Sequence, residues 1–197
     1  MATRRRYHHG ELRRALLDAA LEQIAAHGPD QFTVADAARA AGVSSAAPYR
    51  HFESREELLR ALGQEGAEKL QELIESAQAD ADDTPMEQFR ALGVAAVVFA
   101  AEHPGYHRVL TTPEYAPDGG LGDEARFWRK AAATLRARKR GADDGAVLFG
   151  VAARAMVHGL AMMFVDGHME RIGVPARLAR QVADRVTLAI APGDDEA

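Results

Sequence analysis

Apolar side chains recur every three or four residues along most of the chain, the period of helices that bury one face. The row Leu12, Leu16, Ala20, Ile24 and His27, widened by Leu17 and Leu21, predicts a first helix over about Gly10 to His27, closed by Gly28 and Pro29. Thr33 and Asp36 stand in the T-x-x-D spacing of a capping box, with Asp in place of Glu, and predict a short helix over Val34 to Ala41 that Gly42 ends. Gly42-Val43-Ser44 reads as a tight turn. Ser44 or Ser45 then caps a third short helix ending near Phe52. That places Pro48 in or beside its first turn, where a missing N–H costs little. A full S-x-x-E box at Ser54 and Glu57 opens a long helix, Arg55 to Ala81, with Leu58, Leu59, Leu62, Leu70, Leu73 and Ile74 on helical spacing.

Beyond a break at Asp80 to Pro85, the pattern predicts a helix over Pro85 to Glu102, stopped by His103-Pro104-Gly105, and a short one over Tyr106 to Leu110. Pro113 to Gly122, with two Pro and three Gly, is a loop. Asp123 to Arg140 is helical and ends in RARKR, where cations suit the negative helix end. Asp143 to Arg171 predicts a long apolar helix, and Pro175 starts a last one running to Ala191. No strand and no internal repeat is expected. The chain divides into a basic arm (1–9), a three-helix region (10–54), a helical body (55–191) and an acidic tail (192–197).

Composition narrows the class. Of 197 residues, 47% are apolar, enough for a core and too many for a disordered chain. There is no cysteine, which excludes disulfides and thiolate metal sites and fits a reducing cytoplasm. The apolar run Ala91 to Ala101 falls short of the roughly 20 residues that span a bilayer. The start MATRRRYHHGEL is basic but has no apolar stretch behind it, so neither a signal peptide nor a membrane partner is expected. The net charge of −5 conceals a polarity. Residues 1–60 hold nine Arg against eight Asp and Glu, and the first fourteen hold five Arg against Glu11 alone. A basic end on an acidic body matters more to a polyanion than the total does.

A short helix, a glycine turn and a second short helix make a helix-turn-helix, whose second helix enters the major groove of DNA. Ser45, Ala46 and Ala47 are then small because the backbone has to approach bases and thymine methyls closely. Tyr49 and His51, with Arg55 from the start of the long helix, can donate to phosphates. Spacing alone equally fits a plain three-helix bundle with a solvated basic face.

The stretch GELRRALLDAALEQIAAHGPDQFTVADAARAAGVSSAAPYRHFESREELLRAL is similar to the N-terminal domain of TetR-family transcriptional regulators. Its parts come in order over residues 10–62: a helix ending in HG, F-T, A-x-x-A-G-V-S, Y-x-H-F, and the entry Ser-Arg-Glu-Glu-Leu-Leu. The resemblance implies that Thr33, Ser44, Ser45, Ala46, Ala47, Tyr49, His51 and Arg55 fall at positions that touch DNA. Pro48 departs from it, standing where many members carry Leu or a similar residue. The arm with Arg4, Arg5 and Arg6 either lies along the backbone or in the minor groove, adding salt-dependent affinity, or stays unstructured.

The same resemblance implies an all-α architecture, in which a long helix joins the reader to a helical domain that dimerises and binds a small molecule. Ala101 to Leu110 (AEHPGYHRVL) and Arg154 to Gly167 (RAMVHGLAMMFVDG) resemble the subgroup with a WHG-type C-terminal domain, with Met156 or Val157 in place of the tryptophan. Small residues Gly150, Ala152, Ala153, Ala155 and Gly159 let another helix approach, and Leu178, Val182, Val186, Ala189 and Ile190 form a stripe. Together they suit a four-helix interface between two copies, or packing within one chain. Phe89, Leu92, Phe99, Tyr106, Phe127, Trp128, Met156, Met162, Met163 and Phe164 are candidates for an adaptable apolar pocket, or for ordinary core. His158 is a core histidine or a ligand contact.

His103 and His107 are four apart, but Pro104-Gly105 lies between them and no third ligand follows, so no metal is expected. Without G-x-S-x-G, a phosphate loop or a cysteine, no enzyme and no cofactor is expected. The expected function is a homodimeric repressor on a palindromic double-stranded DNA operator, released by a small apolar effector. An activator or a ligand-independent regulator fits the same residues.

Overall fold

The computed structural model describes residues 9–117 and 145–189. Their regular structure is helical throughout: α1 (His9–His27), α2 (Val34–Ala40), α3 (Arg55–Ala79), α4 (Pro85–Glu102), α5 (Pro104–Leu110), α6 (Gly145–Val165), α7 (His168–Arg171) and α8 (Ala179–Leu188), with 3-10 turns at Pro29–Gln31, Pro48–Arg50 and Ala176–Leu178. The arm with Arg4, Arg5 and Arg6, the predicted helix with Phe127 and Trp128, Ile190 and the acidic tail lie outside the described residues.

The caps form, though not as full boxes. Thr33 Oγ1 accepts the Asp36 amide at 3.2 Å, but the Asp36 carboxylate takes the Thr33 hydroxyl rather than its amide. At α3, Ser54 Oγ accepts the Glu57 amide at 3.1 Å, and the Glu57 carboxylate reaches one residue further back, to the Glu53 amide. Thr84 caps α4 through the Glu87 amide at 3.3 Å, a signal the periodicity did not use.

Three predicted boundaries are corrected. The third helix is a single 3-10 turn, because Pro48 has no N–H for the Ser44 carbonyl, which takes the Ala47 amide instead at 2.9 Å. Neither Ser44 nor Ser45 caps that turn, whose N-cap is Ala47 with no side-chain bond. The long apolar helix stops at Val165, since Gly167 adopts φ +68° and its amide turns back to the Phe164 carbonyl at 3.0 Å. The last helix starts late: Pro175 is extended, and a 3-10 turn precedes α8.

The described residues divide into two compact units. One comprises 9–67 and 105–117, the other 68–104 and 145–189, so the division falls within α3. The interior of the first is built from Leu16, Leu17, Ala20, Ile24, Phe32, Ala37, Ala38, Phe52, Leu58, Leu59 and Leu62, with Val109 and Leu110 from the second stretch. Full burial of each large side chain contributes about 1.5–3 kcal/mol. The second unit packs Val94, Val97, Val98 and Ala100 of α4 with Leu160, Ala161 and Val165 of α6, and with Ala179 and Ala183 of α8.

Gly105 shows how closely the stretch 105–117 lies on the first unit. A Cβ there would stand 2.6 Å from the Leu21 carbonyl oxygen. Beside it, Arg14 Nη1 pairs with both Glu65 oxygens at 2.7 and 2.8 Å, its Nη2 bonds Asp18 at 2.7 Å, and the Tyr106 hydroxyl donates to Glu65. Burial first, and the Glu65 carboxylate second, raise the Tyr106 phenol above its ordinary range. Gly105→Ala is expected to cost about 1–3 kcal/mol, since backbone must move to admit the methyl. Urea unfolding reads this as a lower midpoint at unchanged slope; an unchanged midpoint contradicts the close approach.

Candidate nucleic-acid interface

The approach to the site is set by α2 and its exit. Ala41 caps the helix, the Gly42 amide returns to the Arg39 carbonyl at 3.1 Å, and the Val43 amide to the Ala38 carbonyl at 2.9 Å. These are the two bonds of a Schellman ending, and they require Gly42 at φ +69°. On the other end, the Thr33 hydroxyl and then Arg39 hold the Asp36 carboxyl below the usual carboxylate range. Asp36 thus stays ionised, and the paired Arg39 guanidinium offsets its charge.

The recognition segment that follows sorts its side chains sharply. Ser44, Ser45 and Ala46 are exposed and Ala47 is half-buried, while Pro48 is fully buried and Phe52 only 2% exposed. Tyr49 is 59% exposed, so its ring and hydroxyl are open to a partner. His51 is half-buried. Underneath, the Arg13 guanidinium lies 5.3 Å from the Phe52 ring centroid, joining α1 to the segment. Small exposed groups over an apolar anchor let the backbone come close to base edges.

Two residues take places the sequence did not foresee. Arg50 is exposed, and its side chain makes no hydrogen bond or ion pair with another described residue. Its guanidinium is available to a phosphate, and only its setting beside exposed Tyr49 marks it out. Arg55, expected at the DNA, faces inward: it donates to the carbonyls of Phe32 and Pro29 and to the Tyr115 hydroxyl. Thr33 is exposed, with its hydroxyl engaged by Asp36.

The candidate pocket residues are not gathered into one cavity among the described residues. Phe99 is core, its ring 5.3 Å from that of His103, and Tyr106 is buried in the first unit. Leu92, Met156, Met162 and Phe164 are half-buried, whereas Met163 and His158 are exposed. Phe89 lines a small cleft with Met86, Gly93, Phe149 and Val157. A separate groove of about 380 Å³ lies among α3, α4 and α8, but its lining is largely charged, with Asp80, Asp82, Glu87, Arg90, Arg180 and Asp184. Of the expected interface residues, Ala153 is fully buried inside the second unit, and Val182 and Val186 lie against its core; Gly150 and Leu178 are half-buried. His103 follows α4 and His107 sits within α5, and no group of three or more metal-ligating side chains occurs among the described residues.

A capped helix, a Schellman turn and an anchored segment of exposed small residues define a helix-turn-helix DNA-binding protein. Residues 16–62 match the model of bacterial regulatory proteins of the tetR family, and residues 89–187 that of tetracyclin repressor-like C-terminal domains. The chain belongs to the TetR family of DNA-binding transcriptional regulators, proteins that act by binding rather than by catalysis. It is similar to the HTH-type transcriptional regulator BetI of Agrobacterium fabrum, 34% identical over 102 residues, which are 52% of this chain and less than half, 45%, of that regulator. A protein of unknown function from Rhodococcus sp. RHA1 shares the fold at 30% identity and TM-score 0.58, covering 94% of this chain and 98% of that one. The TetR family transcriptional regulator PfmR from Thermus thermophilus does so at 24% identity and TM-score 0.61, covering 92% and 99%.

Arg50→Ala is expected to weaken duplex binding across sequences and to reduce the slope of log affinity against log salt by about 0.9, the signature of one lost phosphate contact. Stability should change by less than about 0.5 kcal/mol. A titration series over salt with an unchanged slope removes Arg50 from the interface.

Proposed function

We propose that the chain is a cytoplasmic homodimeric repressor that holds a palindromic DNA operator and releases it when a small apolar molecule binds the C-terminal unit. The observation that carries the dimer is the open face of α6. Leu148, Ala152, Ala155, Gly159 and Met163, one row along the helix, are all exposed. Only 17% of Leu148–Val165 is buried, although the stretch is strongly apolar. A contiguous apolar face of this kind marks an interaction site. By length and composition this helix could cross a bilayer, unlike the run Ala91 to Ala101, but Arg154 and His158 interrupt it. An Arg at a bilayer centre costs about 2.5–3.5 kcal/mol, whereas small residues in a row suit a second helix. Two copies joined here carry two readers, which suits two half-sites separated by whole helical turns.

The support for an effector is the pair Met156 and Met162 of α6, which adapt to a ligand without a fixed shape; the apolar cleft at Phe89, Phe149 and Val157 holds only about 10 Å³ and has to open to admit one. Release follows from linkage: the ligand has to bind the DNA-incompetent arrangement better, and DNA then weakens the ligand by the same factor. Ser44, Ser45, Ala46, Ala47, Tyr49 and His51 make the contacts, with Arg4, Arg5 and Arg6 of the arm adding phosphate affinity.

Met163→Glu places a carboxylate in the proposed interface and is expected to weaken the dimer about a hundredfold or more in sedimentation equilibrium. A variant that dimerises like the parent moves the interface elsewhere. For release, apolar compounds are screened for those that raise the melting temperature. Each such compound should weaken duplex binding, and stabilisation without any effect on DNA affinity contradicts the release step.

A further inference from the structure

Arg55 begins α3, directly after the recognition segment, yet its guanidinium serves the interior of the first unit. Nε donates to the Phe32 carbonyl at 3.0 Å, and Nη2 donates to the Pro29 carbonyl. These carbonyls bracket the turn that leads to Thr33, the cap of α2. One cation thus fastens the entry of α2 to the start of α3, the two helices that flank the recognition segment. Nη1 is within 3.5 Å of Glu56, which reduces its attraction for an outside anion further.

The remaining contact comes from far along the chain. Nη1 donates to the Tyr115 hydroxyl at 3.2 Å, across sixty residues of sequence. Tyr115 is itself held by the Thr112 carbonyl, which its amide meets at 3.0 Å, and by α3. At Gly63 a Cβ would lie 2.0 Å from the Tyr115 carbonyl oxygen, so the segment rests on bare helix backbone. A glycine inside a helix costs about 1 kcal/mol against alanine, and the close approach is what it permits. The stretch 105–117 is also spliced into the first unit from the sequence of the second, which the chain leaves at Pro104.

We propose that Tyr115 is a latch for the DNA reader: its hydroxyl holds Arg55, Arg55 holds the carbonyls of Pro29 and Phe32, and the recognition segment keeps its place on the duplex only while both are engaged. Arg55 is a positioning residue and does not touch phosphate. Displacement of the stretch 105–117 withdraws the hydroxyl and loosens the entry of α2, with no change in the groups exposed to DNA. The latch rests on the DNA-binding role of the family and not on the dimer or the effector.

Three full-length variants test it: Tyr115→Phe removes the acceptor, Gly63→Ala pushes the segment away without altering either partner, and Arg55→Gln replaces the guanidinium with a shorter, uncharged amide that cannot span all three acceptors. Hydrogen exchange is followed at the amides of Phe32, Asp36 and Ala37. Tyr115→Phe and Gly63→Ala are each expected to speed it by about tenfold, Arg55→Gln by more, with the amides of α8 unaffected. Titration with a mixed-sequence duplex over a range of salt should show lower affinity in all three at an unchanged salt slope. Two results overturn the proposal: wild-type exchange in Tyr115→Phe, or a slope that drops by about 0.9 in Arg55→Gln, which makes Arg55 a phosphate contact. If the wild-type chain fails to bind the duplex, DNA binding itself is contradicted, and the exchange measurement still decides the latch.

Discussion

The recognition segment cannot hold its own shape. Between Ser44 and Phe52 its backbone bonds are few: Ser44 to Ala47, the successive pair Ala47 to Arg50 and Pro48 to His51 of one 3-10 turn, and Pro48 to Phe52, too short a run for the cooperativity of a helix. What fixes it is burial of Pro48 and Phe52 in the core of the first unit, between the Gly42 turn on one side and the capped start of α3 on the other. Apolar anchoring beneath leaves the outer surface free to be small and polar. The surface can therefore be chosen for what it reads, because its exposed side chains are not needed to fold it.

That dependence explains the unusual make-up of the first unit. Three short elements alone supply a modest core, and small domains bury a small fraction of their surface. The N-terminal part of α3 and the stretch 105–117 add Leu58, Leu59, Leu62, Val109 and Leu110, and a polar clasp in which Arg14 and Tyr106 both bond Glu65. The reader thus includes sequence drawn from the middle of the chain. That middle stretch is in packed contact with the reader, the kind of physical element through which coupling travels.

Much of this was legible in the sequence. Periodicity located α1, α2, α3 and α4 to within a residue or two, because each buries a regular apolar row, and the motifs around Gly42 and Tyr49 placed the reader. Three things were not legible. Pro48 looked compatible with a first helical turn, but its missing amide leaves Ser44 to close a tighter turn. Small residues on α6 looked interchangeable; only the rotation of the helix on α4 decides that Ala153 is buried and Ala152 and Ala155 are open. The resemblance puts Arg55 among the residues at the DNA, and its partners within the chain, Pro29, Phe32 and Tyr115, are not legible because they are distant from it in sequence. The glycines at 63 and 105 were the available sign of that packing, since a helix retains glycine where another backbone needs the space.

The central claim is that this anchored segment reads DNA sequence as one of a symmetric pair. Selection of duplexes from a random pool by the purified chain, at near-physiological salt, tests it most directly. The account predicts enrichment of a palindrome whose half-sites lie whole helical turns apart. Recovery of no common sequence, from protein refolded to strip any bound small molecule, would contradict it.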